Sequence, residues 1–474
     1  MRMTDAQMYA RLLASDESYN GRFFTGVLTT GIYCLPSCKA RKPKAENVRF
    51  FPTCEAAREA GLRACRKCHP DDFARGADPV LEAVETVVAE VRAKPEAFPD
   101  VRALVRRSGF GSTRVFELLR QHYHLTPADL LLRSRIEAVK QRLLEAQQPL
   151  VDSALAVGFE SVSVFHEHFR RLNGLTPAAY RQLAKGGSFE LTLPEGYPLA
   201  YLRRALSRDP QSVTERLDAE VYQTAIRLAH EPALLTLRFL GSRVAVEISN
   251  GSSLEAHRIV VALLGLEQNA ASFSRLAKKL GLARLVAGRP ELRVSQTPSL
   301  YDGLLWSIIG QQINFPFACI LKRRLIERAG QRLPGTDFYL LPEPKDVAAL
   351  NPADLLPLQF SRQKADYVVT ISRRIAEGKL NLEALRGLSA TRVERTLLAE
   401  RGLGPWSVNY LMMRSLGLAD CVPLGDTGVT SGLQALLKLE ERPDIDATRR
   451  LMSVFSPYRS LATTHLWQFN QPAP

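Results

Sequence analysis

The sequence predicts a multidomain α+β protein built from four successive parts. Three observations lead to this prediction: four cysteines fall into two close pairs near the amino terminus, one motif recurs about 49 residues later, and the hydrophobic period changes three times along the 474 residues. This length suits three or four domains, each with its own core. We expect a small α/β module at 1–79, an all-α repeat at 80–184, an antiparallel-sheet domain at 188–252 and an all-α domain at 253–474.

The charge balance favours a polyanionic partner. Lys and Arg together number 63 against 49 for Asp and Glu, which gives a formal charge of +14, and such an excess suits nucleic acid or an anionic surface. No apolar run is long enough to span a bilayer, and the amino terminus lacks the apolar core of a secretion signal. We therefore expect no membrane partner, a cytoplasmic, nucleoid-associated protein, and cysteines that do not form a disulfide framework.

The paired cysteines in the first part have the spacing of a metal site. The runs C-L-P-S-C-K-A-R-K-P-K (34–44) and C-R-K-C-H (65–69) carry them, and paired thiols suit one tetrahedral zinc ion. Lys39 and Arg41 would direct such a site toward a polyanion. A purely structural zinc ribbon is the main alternative. Covalent haem attachment through C-x-x-C-H is disfavoured, because the other pair would have no role, and His69 is either a solvated neighbour or a replacement ligand. The predicted ligands are Cys34, Cys38, Cys65 and Cys68.

The second part contains a repeat. G-F-G-S-T-R-V-F-E-L-L-R (109–120) is echoed by G-F-E-S-V-S-V-F-H-E-H-F (158–169), and L-T-P-A follows each copy. Each copy predicts a helix, a glycine turn and a second helix capped by serine, which is the helix-turn-helix layout. Three phenylalanines of the second helices, Phe116, Phe165 and Phe169, are expected in the core. The candidates for reading DNA bases lie on the second helices: Ser112, Arg114, Ser161 and Ser163, with Thr113 and His166 beside them.

Alternating strands and then helices follow. Runs such as R-V-A-V-E-I (243–248) alternate like strands of an antiparallel sheet, whereas residues from about 253 onward have helical spacing. G-L-G-P-W (402–406) predicts a glycine hairpin with proline in the first turn of the next helix, where backbone groups can hold a phosphate or a bridging cation. Asp426 follows in C-V-P-L-G-D-T-G-V. Taken alone, this aspartate is more often a helix cap than a reactive group.

The cysteine module resembles the amino-terminal domain of the Ada alkylation-response proteins. The resemblance covers nearly all of residues 15–73 and rests on G-V-L-T-T-G-I-Y-C-L-P-S-C-K-A-R, E-N-V-R-F-F and E-A-G-L-R-A-C-R-K-C-H-P-D. It implies one Zn²⁺ on the four cysteines, with Cys34 accepting a methyl group from a DNA methylphosphotriester. Methylation would change the formal charge of the zinc cluster from −2 to −1, which should tighten DNA binding.

Two further resemblances complete the sequence-based interpretation. The repeat is similar to the AraC/XylS class of DNA-binding domains. Residues from about 188 to 468 resemble the AlkA type of 3-methyladenine DNA glycosylase, through Y-D-G-L-L-W-S-I-I-G-Q-Q-I-N, G-L-G-P-W-S-V-N-Y-L-M-M-R and S-P-Y-R-S-L-A-T-T-H-L-W. This resemblance implies that Asp426 is the catalytic carboxylate and that Trp406, Tyr410 and Trp467 are the aromatic residues of the base pocket. It also implies that Gly402 and Gly404 contact DNA. Either Gln312 or Ile313 would be the wedge, the residue that enters the duplex and fills the gap left by the flipped base.

These resemblances imply a regulator and a repair enzyme in one chain, a monomer acting on damaged and promoter double-stranded DNA and contacting RNA polymerase. Trp406 stands where strand-cleaving relatives have a lysine, so we expect a monofunctional glycosylase, with a monovalent cation at the hairpin. Cys319 and Cys421 lack the surroundings of a second methyl acceptor and are expected, like Cys54, to be buried thiols. Two alternatives remain open: an activator whose glycosylase region only binds damaged DNA, and a redox or zinc sensor that uses the same thiols.

Overall fold

The computed structural model describes residues 3–145, 149–472 and 474. The chain forms two compact units, residues 1–89 and residues 90–474. The predicted multidomain α+β organisation is confirmed, with a cysteine module, two helix-turn-helix units, an antiparallel sheet and a helical domain following one another along the chain.

The first unit is a small mixed sheet with helices around it. Its strands lie in the order β3-β1-β2-β4, with β2 and β4 parallel and the other pairs antiparallel. The aromatic residues Phe24, Tyr33 and Phe51 fill its core. The elements are α1 Asp5–Leu13, β1 Phe24–Val27, β2 Ile32–Cys34, β3 Val48–Phe51, α2 Cys54–Glu59, β4 Arg63–Ala64 and α3 Pro70–Ala74, and α4 Pro79–Ala93 begins at the end of this unit.

The predicted repeat forms two helix-turn-helix units joined by the long helix α7. The turns contain Gly109 (φ +71°) and Gly158 (φ +94°), both in the left-handed region that glycine adopts without strain. The helices are α5 Val101–Ser108, α6 Ser112–Tyr123, α7 Pro127–Glu145, α8 Leu150–Leu155, α9 Val162–Asn173 and α10 Pro177–Gln182.

Two details of the repeat differ from the prediction. Ser161 caps α9 as expected, but α6 begins one residue earlier relative to the repeat, so Gly111 is its cap and Ser112 lies within the helix. Phe165 and Phe169 are fully buried, whereas Phe116 is 39% exposed under the guanidinium of Arg120. The prediction for Phe116 was wrong because Val115, Leu118 and Leu119 form the buried face of α6 instead.

The sheet domain has five antiparallel strands in the order β5-β9-β8-β7-β6. Neither its first helix nor its edge strand β6 was predicted from the sequence, and the residues of β6, E-R-L-D, show no apolar alternation. The sheet and the second helix-turn-helix unit share one hydrophobic core that runs from Ile136 and Phe169 to Tyr222 and Val261. The elements are β5 Phe189–Thr192, α11 Leu199–Leu206, β6 Glu215–Asp218, β7 Val221–Leu228, β8 Glu231–Leu240 and β9 Arg243–Ile248.

The remaining residues are helical, as predicted, apart from a two-stranded hairpin. One large core, from Phe273 to Leu466, holds these helices together. The described residues include no helix that is long and apolar enough to cross a membrane. The elements are α12 Ser253–Leu264, α13 Ala270–Lys279, α14 Ala283–Val286, α15 Leu300–Ile309, α16 Phe315–Ala329, β10 Gln331–Arg332, β11 Tyr339–Leu340, α17 Pro344–Ala348, α18 Arg362–Ala376, α19 Ala390–Leu398, α20 Pro405–Arg414, α21 Thr427–Leu437, α22 Ile445–Ser453 and α23 Arg459–Phe469.

Candidate zinc centre and aromatic pocket

The fold of the first unit brings the four predicted ligand cysteines together. Parallel pairing of β2 with β4 aligns Tyr33 with Ala64, so the next residues, Cys34 and Cys65, lie side by side. The ligand atoms of the four cysteines all lie within 4.8 Å of one another. Tetrahedral zinc with thiolate ligands about 2.3 Å from the metal requires sulfur atoms roughly 3.8 Å apart. The donor set and its spacing therefore fit one zinc ion.

Backbone amides support the sulfur cluster. The amide of Leu35 donates to Sγ of Cys68, and that of Lys67 donates to Sγ of Cys65, both at 3.4 Å. Such donors stabilise negative charge on sulfur, which a metal ligand and a nucleophile both need.

The surroundings of the cluster are basic and partly open. Cys34 is 7% exposed at the end of β2, and the predicted DNA contacts Lys39 and Arg41 are exposed. Lys42 is half-buried, with its ammonium donating to the Cys38 carbonyl at 2.7 Å. His69 pairs with Asp72 at 3.4 Å and lies outside the sulfur group found among the described residues. As expected, Cys54 is buried, as are Cys319 and Cys421.

The predicted base-reading residues lie at the exposed starts of α6 and α9. Ser112, Ser161 and Ser163 are exposed. The Ser161 hydroxyl oxygen accepts from the amide of Val164 at 3.4 Å, so it also serves as the cap of α9. Arg114 is partly exposed, and its guanidinium lies 3.2 Å from the carboxylate of Glu117 on the same helix.

Asp426 is both a helix cap and a pocket residue. As the N-cap of α21, its Oδ1 accepts from the amide of Val429 at 3.0 Å. Two indole groups also donate to it: Nε1 of Trp467 to Oδ1 at 2.8 Å and Nε1 of Trp406 to Oδ2 at 3.2 Å. The two interpretations of this aspartate are therefore compatible, because the cap fixes the carboxylate and the indoles orient it within the cavity.

The three predicted aromatic residues form one wall of that cavity. Trp406 and Tyr410 are one turn apart on α20, so their rings stack with centroids 5.3 Å apart and planes inclined by 21°. Tyr410 and Trp467 of α23 follow at 6.2 Å. The cavity measures about 390 Å³, which is enough for a flat heterocycle with its sugar.

The cavity also contains residues that sequence analysis did not single out. Arg208, from the segment between α11 and β6, has its guanidinium carbon 4.0 Å from the ring centroid of Phe315 at the start of α16. Burial lowers the pKa of Arg208. Trp306 and Ile313 also line the space. No local pattern links Arg208 to Asp426, because more than 200 residues separate them in sequence and only the fold brings them together.

The predicted hairpin joins α19 to α20. Gly402 has φ +96°, and a Cβ there would lie 2.5 Å from the ring of Tyr367, so glycine is required by both conformation and space. The Gly402 carbonyl accepts from Nε2 of Gln311 at 2.8 Å. Gly404, the N-cap of α20, faces open space. Gln312 is exposed with φ +55° in the turn between α15 and α16, whereas Ile313 packs against the core.

Comparison of the sequence with protein families identifies three matching regions. Residues 7–71 match the metal binding domain of Ada, residues 104–183 match a helix-turn-helix domain, and residues 305–457 match the HhH-GPD superfamily of base excision DNA repair proteins.

Individual relatives cover either the whole chain or its second half. A probable bifunctional transcriptional activator/DNA repair enzyme AlkA of Mycobacterium tuberculosis is 27% identical over 97% of this chain and 95% of its own length. A DNA-3-methyladenine glycosylase of Bacillus subtilis is 26% identical over 59% of this chain and 95% of its own length. The structure of a 3-methyladenine DNA glycosylase from Archaeoglobus fulgidus shares the fold, with a TM-score of 0.52 and 22% identity over 60% of this chain and 98% of that one.

Proposed function

We propose that this chain, which consists of an Ada-type metal-binding domain, a helix-turn-helix domain and a repair domain of the HhH-GPD superfamily, senses DNA alkylation, regulates transcription and excises alkylated bases. The observation that carries the repair function is the carboxylate of Asp426, which accepts from two indole N–H groups inside an aromatic cavity. Its partners would be damaged double-stranded DNA, which it repairs, and promoter double-stranded DNA, which it binds.

Excision follows from the charges in this cavity. An N-alkylated purine such as 3-methyladenine is cationic, so it stacks favourably on the aromatic faces of Trp406, Tyr410 and Trp467 once it is flipped out of the duplex. The bond between C1′ and the base then breaks with its electron pair going to the base, which leaves neutral. Asp426 stabilises the resulting oxocarbenium ion, guides the water that attacks C1′ and takes up the proton that this water loses.

The residue after the hairpin argues for hydrolysis without strand cleavage. A lyase requires an amine that attacks the sugar, whereas Trp406 occupies this position and donates to Asp426. The hairpin would hold the DNA backbone through the open side of Gly404, and its backbone carbonyls would hold a monovalent cation that would supply positive charge for a DNA phosphate. Gln312, exposed in its tight turn, would fill the gap left by the flipped nucleotide.

Methyl transfer would take place in the first unit. The zinc ion, when bound, would keep the four cysteines as thiolates. Sγ of Cys34 would attack the methyl carbon of a methylphosphotriester, forming an S–C bond while the C–O bond breaks and the phosphate departs as a phosphodiester anion. A neutral triester can approach the anionic cluster, and Lys39 and Arg41 would hold the flanking phosphates. The lost negative charge would then tighten binding of the protein to promoter DNA.

The remaining partners follow from this role. We expect the protein to act as a monomer in the cytoplasm, associated with the nucleoid, and to contact RNA polymerase when it activates transcription.

The decisive experiment measures release of 3-methyladenine from methylated duplex DNA by the full chain. The wild type should release the base, and Asp426→Asn should bind the same DNA while losing release, because the amide can still cap α21 but cannot stabilise a cation. The alternative, an activator that only binds damaged DNA, requires that the wild type release nothing.

A second experiment tests the cysteine module. Purified protein should contain one zinc ion, and mass spectrometry after exposure to methylated DNA should place one methyl group on Cys34. Cys54→Ser is the matched control, because that buried thiol contacts the Pro70 carbonyl and lies outside the cluster. An unmodified Cys34, or a transcriptional response to oxidant and not to methylating agent, would favour the redox-sensor alternative.

A further inference from the structure

The first helix-turn-helix unit contacts the repair domain through α6. This helix packs against α19, the helix that precedes the glycine hairpin. His122 near the end of α6 is buried, and its Nδ1 lies 2.8 Å from Oγ1 of Thr391 in the first turn of α19. The opposite end of α6, with Ser112 and Thr113, is exposed. One helix therefore carries base-reading candidates at its start and touches the repair domain at its end.

The contact continues at His124, the C-cap residue that follows α6. Its backbone is left-handed at φ +57°, and its Nδ1 accepts a hydrogen bond from the backbone amide of Asp420 at 3.1 Å. Burial lowers the pKa of His124 to about 4, so the ring is neutral at physiological pH. In the tautomer with the proton on Nε2, Nδ1 is free to accept.

Asp420 connects the segment that carries Asp426 with the helix that carries Trp467. Its carboxylate accepts from the Arg459 guanidinium at 2.7 and 2.9 Å and from the Ser456 hydroxyl at 2.8 Å. The chain from Asp420 leads directly to Asp426, and Arg459 begins α23, the helix that carries Trp467. Asp426 and Trp467, which share a hydrogen bond, are therefore both connected to Asp420: Asp426 through the chain that follows it, and Trp467 through Arg459 at the start of α23. His124 contacts this same Asp420.

We propose that His124 is a positioning residue for base excision, through which the first helix-turn-helix unit holds the segment that carries Asp426. The proposal rests on the proposed function in taking Asp426 as the reacting carboxylate. Loss of the acceptor would leave the Asp420 amide without its partner and loosen the segment. Because a displacement of about 1 Å can lower a rate about a hundredfold, a residue of the DNA-reading domain would control the repair reaction.

Two substitutions at this position separate the side chain from the backbone. His124→Gly removes the acceptor, and glycine adopts the positive φ without strain. His124→Asn places Oδ1 near the position of Nδ1, and asparagine tolerates the left-handed region. His230→Gly is the matched control, because His230 also has positive φ (+71°) and is exposed in the turn between β7 and β8.

The first measurement is single-turnover release of alkylated bases from methylated duplex DNA by the full chain. His124→Gly should be slower by about tenfold to a hundredfold, with unchanged affinity for the same DNA. His124→Asn should stay within about threefold of the wild type, and His230→Gly should match it. Wild-type rates in His124→Gly, or equal losses in the glycine and asparagine variants, would overturn the proposal.

The second measurement does not depend on activity. All three tryptophans of the chain line the cavity, so their fluorescence reports on it directly. His124→Gly should shift the emission and increase quenching by acrylamide while circular dichroism stays native, and His124→Ala takes its place if the glycine variant does not fold. If the wild type released no base, the proposed function would fail, and the emission alone would decide: an unchanged spectrum would overturn the role of His124.

Discussion

At the scale of single residues, one oxygen atom of Asp426, Oδ1, serves both helix α21 and the cavity, because it accepts from the Val429 amide and from the indole of Trp467. Trp467→Phe removes the donor at 2.8 Å from Oδ1 but keeps an aromatic face for the base. A hydrogen bond to a charged group contributes about 1.5–3 kcal/mol, so we expect single-turnover excision to slow by roughly tenfold or more, with little change in DNA affinity. Trp306→Phe is the control, because its ring faces Phe315; an equal loss in both variants would contradict a specific role for the indole N–H.

Gln312 has a backbone conformation that suits a functional turn. A non-glycine residue at φ +55° costs about 1 kcal/mol or more, and nothing in the local sequence requires glutamine there. Gln312→Gly should leave the melting temperature nearly unchanged, because relief of strain offsets the greater entropy of the unfolded chain. Excision from duplex DNA should slow, whereas excision from single-stranded DNA, which needs no wedge, should not.

The matched control for this wedge prediction is Lys438→Gly. Lys438 is exposed and has the same φ of +55° at the end of α21. The Lys438→Gly variant should excise bases from duplex and from single-stranded DNA at the rates of the wild type. If Gln312→Gly excised bases from both substrates at wild-type rates, Gln312 would not be the wedge.

At the scale of elements, the two hairpin glycines have different reasons to be glycine. A side chain at Gly402 would collide with Tyr367 at positive φ, whereas a Cβ at Gly404 meets no atom within 4 Å at φ −94°. We expect Gly402→Ala to lower the melting temperature by several degrees. Gly404→Ala should fold normally but bind DNA more weakly, because its methyl group would occupy the space that we propose for the DNA backbone. Thermal melts and binding isotherms check the pair; equal melting temperatures with equal affinities would contradict it.

Which features the sequence could predict depends on how far apart in the chain their parts lie. The sulfur cluster and the hairpin belong to short motifs with fixed spacing, so local patterns indicated them. Asp426, Trp406, Tyr410 and Trp467 are too far apart in sequence for such a pattern, and only the family resemblance of the segments that contain them indicated these residues. The starts of α6 and α9 differ by one residue within the repeat, and the exposure of Phe116 depends on that small shift. Arg208 and Asp426, which are 218 positions apart in sequence, line the same cavity. His124 and Asp420, which are 296 positions apart, share a hydrogen bond. No local pattern specifies either pair.

At the scale of the whole molecule, the helix-turn-helix repeat and the repair domain are one compact unit. The second helix-turn-helix unit shares its core with the sheet, and Nε2 of His257 on α12 donates to the carbonyl of Asn173 at the end of α9 at 2.8 Å. The sequence predicted these domains as separate parts, because hydrophobic periodicity shows which face of an element is buried but not which other domain covers it.

Buried neutral histidines make the stability of this unit depend on pH. Burial lowers the pKa of His257 to about 4 and that of His465 to about 3. In the unfolded chain both take up a proton near pH 6.5. Below that pH the unfolded state binds more protons, so the free energy of unfolding should fall by about 1.4 kcal/mol per pH unit for each histidine until the folded pKa is reached. Denaturant titrations at pH 7, 6 and 5 should show this fall. In His257→Gln, whose amide can still donate to Asn173, the contribution of one of these two histidines should disappear, and an unchanged slope would mean that His257 already carries a proton in the folded protein.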